Sequence, residues 1–254
     1  MYFSILLLFF ILGTIFGSFY NVVGYRVPKG ESLLYPSSHC TKCNHKLGVL
    51  ELIPILSFIF LGGKCKVCKE KISFFYPFFE LSSGILFALS YYVFGFSLEC
   101  LLSIVFISML LIIIISDYQT MIIPDSILII FSAMIIIIKF FIFGIEETGI
   151  FLLHGLASFV FMLLLKLFGD FLFKKESMGG GDIKLLGVFG LMLGFPMAVV
   201  SIFIAAIIGL PISLIMLKKN SSHEIPFGPF LAIAAILIVL LRLDINFIIN
   251  IITI

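Results

Sequence analysis

The side chains equipped for chemistry are acids and thiols. Asp117 opens the segment 117–125 (DYQTMIIPD), and Asp182 closes a glycine run in 178–186 (MGGGDIKLL). Both border apolar stretches, and a charged group at the edge of lipid is costly and by default functional. Two convergent carboxylates are the minimum equipment for acid–base hydrolysis of a peptide. Held a few ångströms apart they cannot both ionise, so they share one proton. The ionised member activates a water as general base, and the protonated one polarises the scissile carbonyl. Gly179, Gly180 and Gly181 free the backbone ahead of Asp182 to approach another chain closely, which suits an extended substrate strand. The run lacks the G-x4-GK[ST] pattern of a phosphate loop.

Two further acids are open to more than one reading. Asp125 follows Pro124 and precedes an apolar run, so it is either a helix-start residue or a direct participant in the site. Glu80 lies near the cytoplasmic end of the second apolar run and is either a substrate contact or a partner for Lys184. Lys166 and Asp170 have the spacing of a local helical pair. His154 and His223 are isolated and read as structural.

The thiols form two C-x2-C pairs, Cys40 with Cys43 and Cys65 with Cys68. Each pair makes a knuckle presenting two thiolates, and two knuckles complete the tetrahedral set of a structural zinc site. Nearby lysines favour thiolates. The competing reading is a redox pair or disulfide knot, which requires an oxidising compartment. His39 and His45 read as surface residues, and Cys100 as a small apolar one. A closed four-thiolate site leaves no open position for water, so this zinc supplies folding free energy to a lobe too small to fold alone.

The elements that must position these groups are membrane helices. Of the 254 residues 62% are hydrophobic and 12% charged, against roughly 25% charge in ordinary soluble domains. The mean hydropathy is +1.29, and a net charge of +2 gives no footing for nucleic acid. Apolar runs cover 2–23, 74–94, 98–116, 126–143, 150–173, 196–217 and 227–241, and a span needs ~20 residues. The first run has no basic flank or small-x-small site, so it reads as a retained span rather than a cleaved signal. An eighth segment, 184–194, is either a short tilted span or a re-entrant one. Basic residues mark the cytoplasmic side. Half of the 16 Lys and Arg fall in 26–71, with further clusters at Lys174, Lys175 and Lys184 and at Lys218 and Lys219. Eight crossings with the N-terminus outside put all of these on one face and Glu146 and Glu147 on the other. The expected architecture is an all-α polytopic membrane protein of about eight transmembrane helices. A first helix occupies 1–25, a zinc-binding cytoplasmic domain 26–73, and the remaining spans 74–254. Within that domain 47–61 is apolar but broken by Glu51 and Pro54, and reads as a packed or surface-lying piece.

The ordered blocks 17–28 (GSFYNVVGYRVP), the two cysteine pairs, 53–57 (IPILS), 76–80 (YPFFE), 117–125, 178–194 (MGGGDIKLLGVFGLMLG) and 225–231 (IPFGPFL) resemble the prepilin peptidases, the GxGD-type membrane aspartic proteases of type IV pilus and type II secretion systems. The resemblance implies a bacterial cytoplasmic-membrane enzyme that removes a short basic leader from prepilins or pseudopilins at the cytoplasmic face. It implies Asp117 and Asp182 as the catalytic pair. Members with the cysteine domain also methylate the new N-terminal amine with S-adenosylmethionine, so that activity is implied for residues 26–73. Glu51 stands where the family usually has Asp, and Phe75 where it usually has Arg.

Overall fold

A computed structural model describes residues 2–176, 178–218 and 226–245. Lys219, His223 and Ile225 lie outside the described residues. The helices are α1 (Tyr2–Arg26), α2 (Leu56–Phe60), α3 (Phe75–Phe94), α4 (Leu98–Thr120), α5 (Asp125–Phe173), α6 (Gly180–Leu193), α7 (Phe195–Lys218) and α8 (Gly228–Leu240). Among the described residues the only β-structure is two isolated bridges, as an all-α chain requires. Five helices, α1, α3, α4, α5 and α7, are long and apolar enough to cross a membrane.

Contacts divide the chain between Phe96 and Ser97. In the first unit α1 packs along α3, with the cysteine lobe between them in sequence. The two helices touch through small residues. A Cβ on Gly13 would lie 2.6 Å from the Ser83 carbonyl oxygen, and one on Gly84 2.7 Å from Thr14 Cγ2. Such backbone-to-backbone approach is how helices associate where lipid removes the hydrophobic drive.

In the second unit α4 is the centre. It is apolar on every face, and Phe106, Ile107, Met109, Leu110 and Ile113 are fully buried, as expected of a helix enclosed by others. It packs on α5 and α8, while α6 packs on α5, α7 and α8. The 49 residues of α5 are not straight: Gly144 takes φ 80, ψ −177, outside the helical region. Twelve residues of straight helix span ~18 Å, yet Lys139 Nζ sits 3.0 Å from the Phe151 ring centroid and Phe143 and Phe151 lie 5.7 Å apart. The chain therefore turns back at Gly144, a conformation open to glycine, giving α5 two arms where the sequence shows two apolar runs.

The second arm runs antiparallel to α6. His154 faces Gly194, Ser158 faces Gly190 and Phe159 faces Gly187. The 14 residues of α6 cover ~21 Å, short of a hydrocarbon core of ~30 Å. Gly194 (φ 85, ψ 156) ends the helix, and α7 begins at the next residue. Long stretches of α1, α5 and α7 present exposed Leu, Ile and Phe, among them Leu8, Ile15, Ile129, Phe141, Phe203 and Ile207. Apolar surface on this scale is a liability in water and normal against acyl chains.

Candidate active site

Asp117 and Asp182 both belong to the second unit, and both are buried, 6% and 8% exposed. Asp117 occupies the last turn of α4, and Asp182 the first turn of α6. The chain leaves α4 through Met121 in the left-handed region (φ 54), with its N–H returned to the Asp117 carbonyl at 2.9 Å. Ser116 Oγ donates to the Ile122 carbonyl at 2.5 Å, fixing the turn. Pro124 then caps the start of α5 with an extended backbone.

That turn drives Ile123 between the two acidic helix ends. A Cβ on Gly181 would meet Ile123 Cβ at 2.8 Å, and one on Gly228 would meet Ile123 Cδ1 at 3.2 Å and Asp117 Oδ2 at 2.5 Å. The Gly228 N–H, at the start of α8, donates to the Asp117 carboxylate. The Gly179 N–H donates to Asp182, whose Oδ2 is 3.6 Å from where a Gly179 Cβ would stand. Each carboxylate thus meets a helix N-terminus, Asp117 that of α8 and Asp182 that of its own α6, where a negative charge is favoured. The two carboxyl groups also interact electrostatically with one another.

The glycine run is less uniform than its sequence. None of Gly179, Gly180 and Gly181 has positive φ, so conformational freedom is not what the fold demands of them. Gly181 is required by its contact with Ile123, whereas a Cβ on Gly180 would meet open space. Asp125 is the first residue of α5, and both its oxygens lie 2.7 Å from Lys184 Nζ. The pair is exposed and joins the start of α5 to the second turn of α6. Lys184 is thus taken by Asp125 rather than by Glu80. In the first unit Glu80 is buried, and its Oε2 accepts the Ile55 N–H at 2.7 Å. Ile55 itself has φ 62, a strained value for a β-branched residue.

Two residues of this neighbourhood, Ile123 and Gly228, escape a reading by residue type. At the opposite end of α6 stands Lys139, a single ammonium in an apolar run. It is 2% exposed, donates to the Met192 carbonyl at the end of α6 at 2.9 Å, and lies over the Phe151 ring.

The cysteine lobe is a second, separate constellation. The four Sγ atoms lie within 4.8 Å of one another, with Cys40–Cys68 at 3.7 Å and Cys43–Cys65 at 3.9 Å. Four sulfurs around a tetrahedral zinc at ~2.3 Å stand about 3.8 Å apart, so the donor set fits zinc. A disulfide needs ~2.05 Å, and all four thiols are free. The knuckles repeat one another bond for bond. Cys40 N–H donates to the His45 carbonyl and Asn44 N–H to Cys40, as Cys65 N–H donates to Glu70 and Lys69 N–H to Cys65. Asn44 and Lys69 share a left-handed φ near the end of each turn, 56 and 58. The backbone N–H groups of Cys43 and then Lys42 hold the Cys40 thiol down to about 6, whereas, against the Glu70 N–H, burial and the three neighbouring sulfurs push Cys68 up to about 12. His45 stays outside the cluster and pairs with Glu51 at 3.1 Å. The Gly48 N–H and then His45 hold the Glu51 carboxyl below its usual range. Cys100 is buried near the start of α4, apart from the other four.

Comparison with known proteins covers both constellations. A model described as the bacterial peptidase A24 N-terminal domain matches residues 11–94, and one described as the type IV leader peptidase family matches 104–214. The prepilin leader peptidase/N-methyltransferase of Bacillus subtilis (strain 168) is 38% identical over 231 residues, covering 90% of this chain and 91% of that protein. The proteins of that name from Stutzerimonas stutzeri and Neisseria gonorrhoeae are 32% and 31% identical, each covering 88% of this chain and 86% of the relative. No solved structure matches.

Proposed function

The chain belongs to the type IV leader peptidase family, and we propose that Asp117 and Asp182 are the pair with which it cuts the leader from prepilins or pseudopilins. Family membership makes it a membrane-bound prepilin leader peptidase that also N-methylates its product. The observation that carries the assignment of residues is the meeting of two buried acids, from the end of one helix and the start of another, around Ile123. One proton between them leaves a carboxylate to activate water and a carboxyl to polarise the scissile carbonyl. Gly179 and Gly180, exposed beside Asp182, leave backbone for an extended substrate strand, with Gly181 closing the base of that site. Asp125 offers an exposed carboxylate to the basic leader. Glu80 acts by holding the backbone of Ile55.

Eight crossings, counting both arms of α5 and the short α6, put the N-terminus outside. Asp117 and Asp182 then lie at the cytoplasmic interface of the bacterial inner membrane, where a prepilin's leader meets its apolar helix. Residues 26–73 are the zinc-bearing part associated with methyl transfer, and the spans of 74–254 carry hydrolysis. The four cysteines hold the zinc, which supplies a fold and no open coordination site. When bound, S-adenosylmethionine supplies the methyl group. The lobe shows one buried acceptor without a partner, Glu51 Oε1, and no glycine-rich turn leading into a helix of the kind that cradles a nucleotide. That donor set does not define a cofactor site.

The test is reconstitution with a prepilin. Asp117→Asn and Asp182→Asn each lose leader removal while the protein stays folded and metal-loaded. Full cleavage by either variant removes that residue from the pair.

A further inference from the structure

The cysteine lobe leaves its apolar residues outside its own core. Val49 is 83% exposed, Leu50 79% and Phe60 82%, and Ile59 and Leu56 are also exposed. They come from α2 and from the short 3-10 turn at Val49–Leu52, which pack on each other.

The position of this surface is fixed by two contacts with the end of α3. Glu80 lies five residues into α3, ~8 Å along the axis, and its side chain leans back toward the helix start. The Ile55 N–H reaches that carboxylate at 2.7 Å. One turn later the Phe58 ring packs edge-on against Phe74, the residue just before α3, with centroids 6.2 Å apart. The segment is thereby held at the N-terminal end of α3, which, with α3 as a span, is the level at which that helix leaves the bilayer. The exposed Lys46, Lys64 and Lys66 flank it. Apolar side chains at that depth, bordered by ammonium groups, match the boundary between acyl chains and anionic headgroups.

We propose that residues 49–60 dock on the cytoplasmic leaflet, with Leu50 and Phe60 inserted at the headgroup–acyl boundary and the flanking lysines on anionic phospholipid. The docking holds the zinc knuckles against the membrane surface. It rests on α1 and α3 being spans.

The chain contains no tryptophan, so a single introduced indole reports its own surroundings. Leu50→Trp, Phe60→Trp and, as a control on α3, Ile85→Trp are each placed in nanodiscs of phosphatidylcholine with and without phosphatidylglycerol, with bromine high or deep on the acyl chains. Zinc content verifies that the knuckles remain intact. Leu50→Trp and Phe60→Trp should emit to the blue of free indole and lose most of their emission to shallow bromine, more so with phosphatidylglycerol and less at high salt. Ile85→Trp should be quenched by deep bromine. Quenching of Ile85→Trp with none at positions 50 and 60 overturns the docking and leaves the spans standing. No quenching at any position overturns the spans themselves. Protection that develops only when prepilin is added assigns the surface to substrate and overturns the lipid assignment. Equal quenching in neutral and anionic discs overturns the part played by anionic lipid.

Discussion

Asp117 stands at the unfavourable end of its own helix. An acid in the last turn of α4 opposes the helix dipole, and local rules are broken in this way mainly where function requires it. The first turn of α8 offsets the cost by bringing the Gly228 N–H onto the carboxylate. Gly228 therefore permits the geometry, since a Cβ there would lie 2.5 Å from Asp117 Oδ2. Gly228→Ala should displace that carboxylate and lower the cleavage rate by about 10–100-fold with little change in melting temperature. Gly180→Ala, whose Cβ meets open space, should leave folding intact and raise KM if Gly180 lines the proposed path of the substrate strand. Initial rates against prepilin concentration, beside a melting curve, separate the two. The acids were legible in the sequence because charge beside lipid is expensive and their flanking residues are distinctive. Gly228 and Ile123 lie inside the blocks 225–231 and 117–125, but their roles were not legible, because a glycine N–H and an isoleucine methyl become site components only when α8 folds against the end of α4.

At the scale of elements the short α6 poses the sharpest problem. Its last carbonyls end within apolar surroundings, and a backbone acceptor without water must find a donor in the protein. The Gly194 N–H satisfies Gly190 and the Lys139 ammonium satisfies Met192. Lys139→Met, which keeps length and loses the donor, should destabilise the second unit by about 1–3 kcal/mol, while Lys139→Arg keeps a donor and recovers part of the loss. Thermal unfolding in detergent measures both. The sequence left the path of 184–194 open because length alone cannot tell a tilted span from a re-entrant one. The Lys139 partner and the Gly194 break are tertiary facts. The cysteine lobe was legible through its spacing, but the bond-for-bond repetition of its knuckles was not, because the two share little beyond Cys and Lys. Glu51 adds a pH dependence to that lobe. Its folded value is depressed, first by the Gly48 N–H and then by His45, so its contribution is present above the unfolded value of ~4.3 and is lost as pH falls through the lower folded value. Glu51→Gln should therefore release zinc at a higher pH than the native chain, with the gap closing below about pH 4 as both carboxyl and thiolates protonate. A zinc-responsive dye in an acid titration reads both curves.

For the whole molecule, the distribution of charge was the most legible feature and the number of crossings the least. Lysines at 42–71 and at 174–184 against Glu146 and Glu147 argue for one orientation, and the turn at Gly144 puts Glu146 just after the reversal of α5. Only α6 leaves the sum undecided, because a helix of ~21 Å crosses a ~30 Å core only where the bilayer thins or neighbouring helices cover its ends. Lys139 and the first turn of α8 provide such cover at opposite ends, which favours a crossing. Single cysteines in a Cys100→Ser background test this in intact cells with a maleimide that cannot pass the membrane. Glu147→Cys should react from outside, and Glu176→Cys only after permeabilisation. The four cysteines of residues 40–68, on the cytoplasmic side in this topology, stay silent from outside in either case. Ser221→Cys, in the stretch following α7, decides the remaining crossing. Reaction only after permeabilisation gives eight spans and keeps Lys218 and Lys219 with the other basic residues. Reaction from outside makes α6 re-entrant, and α8 then has to return to the cytoplasm with its N-terminus on the outer face. That orientation would carry Gly228 away from the leaflet at which Asp117 ends α4, so the hydrogen bond between them makes eight crossings the expected result.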